Sequence, residues 1–243
     1  MLAEPDINRA YESGRAACRI RRMTHVLMLS RDTTLYTQPE GSARLRHLDY
    51  AARAGHLTII TYTPAGTGDT IMPSPHLTVV PTNSRHKLLY MTDALRLGLD
   101  AARRRPVDLI TTQDPFTTAL SGVWLRRRRC VPLLIQNHSY VFGNRAWLGE
   151  RPIRNRLLEL LGRYTLRYAD FYRAVNRQER ETFGQMTGHA DRAVALPLGT
   201  ASPDFARSFA PTELDALRAQ PRLRRHPPFR ARHGEGRAAA GTL

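Results

Sequence analysis

The chain alternates short, nearly unbroken apolar runs with longer stretches in which apolar residues return every three or four positions. Runs of the first kind predict strands and the longer recurrences predict amphipathic helices. His25-Val-Leu-Met-Leu-Ser30 opens the series and, lacking polar alternation, reads as a strand covered on both faces. Further strands are expected at 57–62, 77–80, 107–112, 131–136, 171–175 and 193–196, with 64–75 read as a turn-rich connection. Between them, Leu45, Leu48 and Ala52 mark a helix that stops at Gly55, and Leu88, Met91, Leu95, Leu99 and Ala102 mark another over 87–105. The basic end of that second helix, Arg103-Arg104-Arg105, suits the negative pole of the helix dipole. Asp114-Pro115 reads as an N-cap followed by proline, opening a helix that buries Phe116, Ala119, Leu120, Val123 and Trp124. Ile153, Leu157, Leu161, Tyr164 and Tyr168 trace a fourth helix, and Asn176-Arg-Gln-Glu179 has the capping-box pattern of a fifth.

Strand and helix in alternation predict an α/β fold, a doubly wound (Rossmann-like) parallel sheet of about seven strands without internal repeats. In such a sheet ligands bind beyond the carboxyl ends of the strands, where the loops after Ser30, Thr112 and Gln136 all fall. The two ends of the chain read differently. Residues 1–22 show no periodicity and are expected to be a disordered extension, with Met23 as the natural start of a domain over 23–209. Residues 210–243 form an irregular tail in which Arg218, Arg222, Arg224, Arg225, Arg230, Arg232 and Arg237 mix with Pro, Ala and Gly. That mixture reads either as a solvated tail or as the product of a slipped reading frame in GC-rich DNA.

Charge changes the picture only in part. With 37 Lys+Arg against 21 Asp+Glu the net charge is +16, which by itself points to an anionic partner. Lys87 is the one lysine, however, and such one-sided arginine usage is explained by a GC-rich genome more simply than by a nucleic-acid surface. Nucleic acid is therefore not expected as a partner, whereas peripheral attraction to an anionic membrane remains open. No run is long and apolar enough for a spanning helix, and no leader pattern is visible. Cys18 and Cys130 make neither a disulfide framework nor a metal site, so a cytoplasmic setting and no bound cofactor are expected.

Six motifs in order carry a resemblance: Gly41-Ser-Ala-Arg44; Val107-Asp-Leu-Ile-Thr-Thr-Gln-Asp-Pro-Phe116; Val131-Pro-Leu-Leu-Ile-Gln-Asn-His138; Arg167-Tyr-Ala-Asp170; Ala174-Val-Asn176; and Ala195-Leu-Pro-Leu-Gly-Thr200. Over roughly 23–209 the chain resembles the N-terminal, acceptor-side domain of family 4 glycosyltransferases, which have the two-domain GT-B fold. The resemblance implies that a second Rossmann-like domain holds a nucleotide-sugar donor and that transfer to a glycan or lipid-linked acceptor retains anomeric configuration. It implies too that the donor-phosphate machinery lies in that second domain, so these residues alone are expected to be a truncated, inactive half. The alternative is a non-catalytic α/β module that pairs with a separate donor-domain chain.

The resemblance makes His138, at a strand's carboxyl end, the candidate catalytic-site residue, hydrogen bonding a sugar hydroxyl or backbone rather than acting as general base; a structural loop histidine is the rival reading. Gly41 and Ser42 open a helix facing the expected cleft, where backbone amides would approach a donor phosphate or the acceptor, although Glu40 stands where the family often has a second glycine. Asn137, Tyr140 and Asn144 are candidate acceptor contacts. Asp114 is expected to cap a helix more than to act as an acid. Gly66-Thr-Gly68 lacks the third glycine and following helix of a dinucleotide fingerprint and is set aside. Tyr164, Tyr168 and Tyr172 read as core or cleft-lining aromatics.

Overall fold

A computed structural model describes residues 25–139 and 141–196. The N-terminal extension, Met23, Tyr140, the motif beyond Leu196 and the tail lie outside the described residues. The sheet has eight strands: β1 (Val26–Ser30), β2 (Leu57–Thr61), β3 (Ile71–Ser74), β4 (Leu77–Pro81), β5 (Leu109–Thr112), β6 (Leu133–Gln136), β7 (Phe171–Ala174) and β8 (Ala193–Ala195). Their spatial order is β3-β4-β2-β1-β5-β6-β7-β8, parallel throughout except for the antiparallel pair β3–β4. The doubly wound parallel sheet is as expected. The extra strand corrects the sequence reading: Ile71-Met-Pro-Ser74 contains a proline, which an edge strand tolerates, and so passed for a turn.

The unbroken apolar run of β1 splits by alternation between two cores. Leu27 and Leu29 join Ile60, Ile110, Leu133, Ile135 and Tyr172 on one face, while Val26 and Met28 join Leu57, Ile59, Leu77 and Val79 on the other. A strand buried on both faces needs apolar residues at every position, and each large one contributes about 1.5–3 kcal/mol.

The helices are α1 (Thr34–Thr37), α2 (Ser42–Ala54), α3 (Tyr90–Arg104), α4 (Thr117–Arg129), α5 (Arg145–Glu150), α6 (Pro152–Leu166) and α7 (Arg177–Thr187). α2 buries only part of the predicted stripe: Leu48 packs half-buried on the second core, whereas Ala52 is exposed. Leu45 is 57% exposed, and the inward positions are His47 and Ala51. His47 tolerates burial because its Nδ1 lies 2.6 Å from the Ala43 carbonyl and its Nε2 lies 3.4 Å from Gln113 Nε2. α6 also turns its predicted stripe outward, with Ile153 80% and Leu157 62% exposed, and buries Asn155, Gly162, Thr165 and Leu166. The polar members are satisfied inside: Asn155 Nδ2 donates to the Trp147 carbonyl (2.6 Å) and Thr165 Oγ1 to the Pro115 carbonyl (2.5 Å).

The arginine run closing α4 is more than a solvated face. Arg126 forks onto Asp170 through Nε and Nη2, both at 2.7 Å, while Asp170 Oδ2 also accepts the Leu133 amide at 2.9 Å. Arg129 donates to the Leu99 carbonyl (3.0 Å), and Arg127 stands 4.5 Å over the Tyr168 ring. These contacts tie α4 to α3 and to the entry of β7.

Candidate functional site

Three strands end together at the carboxyl rim. β1 leads through α1 to Gly41 and the start of α2, β5 runs into Gln113-Asp114, and β6 into Asn137-His138-Ser139. A cavity of about 380 Å³ opens there, lined from the two strand ends by Gln113, Asp114, Asn137 and His138, and from the following segment by Asn144, Trp147 and Glu150. Gln113 is its hinge to the rest of the rim: Oε1 accepts from Ser30 Oγ (2.5 Å), and Nε2 reaches toward His47 on α2.

Asn137 and Asn144 hold this wall in shape. Asn144 caps α5, its Oδ1 accepting from the Ala146 and Trp147 amides at 3.1 and 3.2 Å. The cap aims Trp147 back across the cavity, where its indole stacks on Phe116, ring centroids 6.1 Å apart and planes 9° off parallel. Asn137 is buried, and its Nδ2 donates to Glu179 Oε1. Glu179 sits on α7, whose N-cap Asn176 accepts the Glu179 amide at 2.8 Å, as the capping-box pattern anticipated. The Glu179 carboxylate does not return to the Asn176 amide as a full box would; Oε2 accepts the Val175 amide (3.0 Å), joining the ends of β6 and β7.

His138 is pushed below the ordinary histidine pKa, first by burial and then by the positive charge of Arg173 and Arg46. It is therefore neutral at physiological pH, with one ring nitrogen donating and the other accepting. Asp114 is pushed above the ordinary carboxyl range by burial, partly offset by hydrogen bonds from Phe116 and Thr118. It does not cap α4 directly. Its Oδ1 accepts the Phe116 amide (2.8 Å) two residues on, an Asx turn that delivers the chain to a helix beginning at Thr117. Gly41 and Ser42 share the rim but do not line the cavity. The Gly41 amide donates to the Gln38 carbonyl (3.0 Å), and a Cβ at this position would lie 2.9 Å from Gln38 Cβ, so the glycine closes a tight turn ahead of α2.

The structure thus brings Asp114, Asn137, His138 and Asn144 into one cavity. Sequence reasoning missed Gln113, Trp147 and Glu150, although an aromatic residue in the segment that follows β6 was a usable signal. Among the described residues no group of three or more His, Cys, Asp or Glu is placed to hold a metal ion, and no helix is long and apolar enough to cross a membrane.

Residues 42–199, which include most of this rim, match the sequence model of the glycosyl transferase 4-like domain. The chain belongs to that family. Comparison with curated proteins finds no match. Solved structures similar to this glycosyl transferase 4-like domain include the apo form of the lipopolysaccharide outer core galactosyltransferase WaaB (10% identity, TM-score 0.49, 72% of this chain and 46% of that one). UDP-N-acetylglucosamine 2-epimerase from Rickettsia bellii is similar at 12% identity and TM-score 0.49, over 82% of this chain and 52% of that one. The calicheamicin glycosyltransferase CalG4 follows at 14% identity and TM-score 0.45, over 75% and 55%. The chain spans about half the length of these structures.

Proposed function

We propose that the described residues form the acceptor-side half of a retaining glycosyltransferase, which receives a glycan or lipid-linked acceptor in the rim cavity. A second domain holds the nucleoside-diphosphate sugar against it. The observation that supports this reading most is the cavity's composition. A flat aromatic wall, Trp147 on Phe116, faces amide, carboxyl and imidazole groups from the strand ends. Sugar rings are recognised by that pairing, with apolar C–H faces laid on an aromatic surface and hydroxyls met by polar side chains.

In this reading Asn137, Asn144 and Glu150 orient the acceptor, Asp114 accepts one of its hydroxyl protons in a hydrogen bond, and neutral His138 bonds a sugar hydroxyl without removing its proton. The departing diphosphate gains charge as the sugar becomes oxocarbenium-like, so phosphate-directed donors lower the barrier. Those groups belong to the donor domain, supplied by further sequence or by a separate chain. The 243 residues alone are accordingly expected to bind acceptor-type saccharides without turning over a nucleotide sugar.

Titrating the purified chain with a panel of oligosaccharides, followed by Trp fluorescence and heteronuclear NMR, tests this. Expected are saturable shifts at Trp147 and His138 that are abolished in Trp147→Ala, with no release of nucleoside diphosphate from nucleotide sugars. Saccharide shifts that persist in the variant, or turnover by the chain alone, would overturn the assignment. Recovery of a donor-domain protein with the chain on purification would instead favour the paired-module form of the proposal.

A further inference from the structure

α6 has an apolar face besides the one it buries. With about 100° of rotation per residue, Asn155, Gly162, Thr165 and Leu166 fall on the side packed against the domain, where all four are buried. Ile153, Leu157, Leu160 and Tyr164 fall within a sector of about 60° on the opposite side, and are 80%, 62%, 63% and 39% exposed. A surface helix of a monomeric domain normally carries polar residues there. A contiguous exposed apolar stripe is costly in water and marks a surface that something covers.

The charges beside the stripe indicate what covers it. Arg156, Arg163 and Arg167 follow one margin at spacings of seven and four, Arg154 stands on the other, and all four are exposed. The helix's one acidic residue, Glu159, is 14% exposed and held by Arg163 at 2.8 Å. An apolar stripe with an arginine margin is complementary to acyl chains beneath anionic headgroups, the arrangement by which helices lie in the plane of a bilayer interface. A protein partner would have to bring an acidic rim instead.

We propose that the outward face of α6 seats this domain on an anionic membrane surface, the stripe entering the headgroup boundary and the arginines pairing with lipid phosphates. The seat does not depend on the acceptor reading. One consequence does: α6 begins at Pro152, two residues after Glu150 in the cavity wall, so a seated domain brings that wall near the membrane. If the cavity binds acceptor, the lipid-linked class is then the favoured one.

The test is co-sedimentation of the full chain with vesicles of phosphatidylcholine alone or containing about one-third phosphatidylglycerol. Binding to the anionic vesicles is expected to be at least about tenfold stronger and to weaken with salt. Ile153→Ser/Leu157→Ser/Leu160→Ser removes mainly exposed apolar surface, so its melting temperature should stay close to that of the parent while its partition falls about tenfold or more. Arg156→Gln/Arg163→Gln/Arg167→Gln should lower binding comparably and flatten the salt dependence. The proposal is overturned if the parent ignores anionic vesicles, or if the apolar variant binds them as well as the parent, which would leave bulk positive charge as the cause. Loss of self-association in the apolar variant with unchanged vesicle binding would also overturn it, assigning the stripe to a second copy. Saccharide binding measured without lipid is a separate readout, so failure here leaves the acceptor reading intact.

Discussion

Glu179 offers the sharpest test of how the site is held together. Its side chain is buried and accepts two hydrogen bonds, from Asn137 Nδ2 on Oε1 and from the Val175 amide on Oε2. Glu179→Ala removes both acceptors at once and leaves two donors without partners away from water. An unsatisfied buried donor costs about 1–3 kcal/mol, so the pair amounts to about 2–6 kcal/mol of the 5–15 typical of a domain. For a domain of this size each kcal/mol lowers Tm by about 2–4 °C, giving an expected fall of about 4–24 °C. Glu179→Gln keeps the volume and one acceptor but turns an NH2 group toward a donor, so about half that loss is expected. Circular dichroism melts of both variants measure the difference, and imidazole resonances report whether His138, next to Asn137, changes environment. A shift below about 1 °C for Glu179→Ala, or a larger loss for Gln than for Ala, would refute the reasoning.

Two further outcomes follow from packing and charge. At Gly162 a Cβ would lie 2.8 Å from Phe142 Cε1 and Cζ and 3.3 Å from Phe116 Cε1. In Gly162→Ala the overpacking cost of about 1–3 kcal/mol exceeds the helix-propensity gain of about 1; Tm should fall slightly and indole fluorescence shift as the Phe116–Trp147 stack moves, whereas a raised Tm would contradict this. His25, His47, His56 and His138 are all held below the ordinary histidine value of 6.5, chiefly by burial. Their neutral forms are favoured in the folded state, so the stability they contribute is complete above 6.5 and is lost as pH falls from there through their lowered folded values. Melts at intervals from neutral to mildly acid pH should show the decline, and His47→Gln should make it shallower; an unchanged slope in that variant would remove His47 from the account.

The parallel sheet was legible because strands buried on both faces leave runs such as 26–30 and 57–61 with no charged residue and only Ser or Thr among the apolar ones. The strand ends were legible for the same reason, and with them the placing of Asp114, Asn137 and His138 on one edge. Periodicity misjudged α2 and α6 because it ranks apolar residues inward, whereas His47, Asn155 and Thr165 are polar groups whose hydrogen-bond partners lie in other elements. No count along one helix can find those partners. α5 and the Trp147 wall were hidden because they depend on the chain folding back after residue 141 onto Phe116, a contact between segments about 30 residues apart. The ordered motifs that suggested family 4 glycosyltransferases run through most of the region that matches the glycosyl transferase 4-like domain, residues 42–199.

The antiparallel strand β3 bears on how this domain meets its neighbours. It lies along the outer side of β4 with a break in register between Ile71 and Ser74, and Pro73 has no amide hydrogen to offer. A newcomer strand would find an irregular, donor-poor border there, so the sheet is closed on that side against edge-on growth and the aggregation it invites. Company for this domain has to arrive elsewhere, through loops, helix faces or the opposite edge at β8, and not by lengthening the sheet past β3.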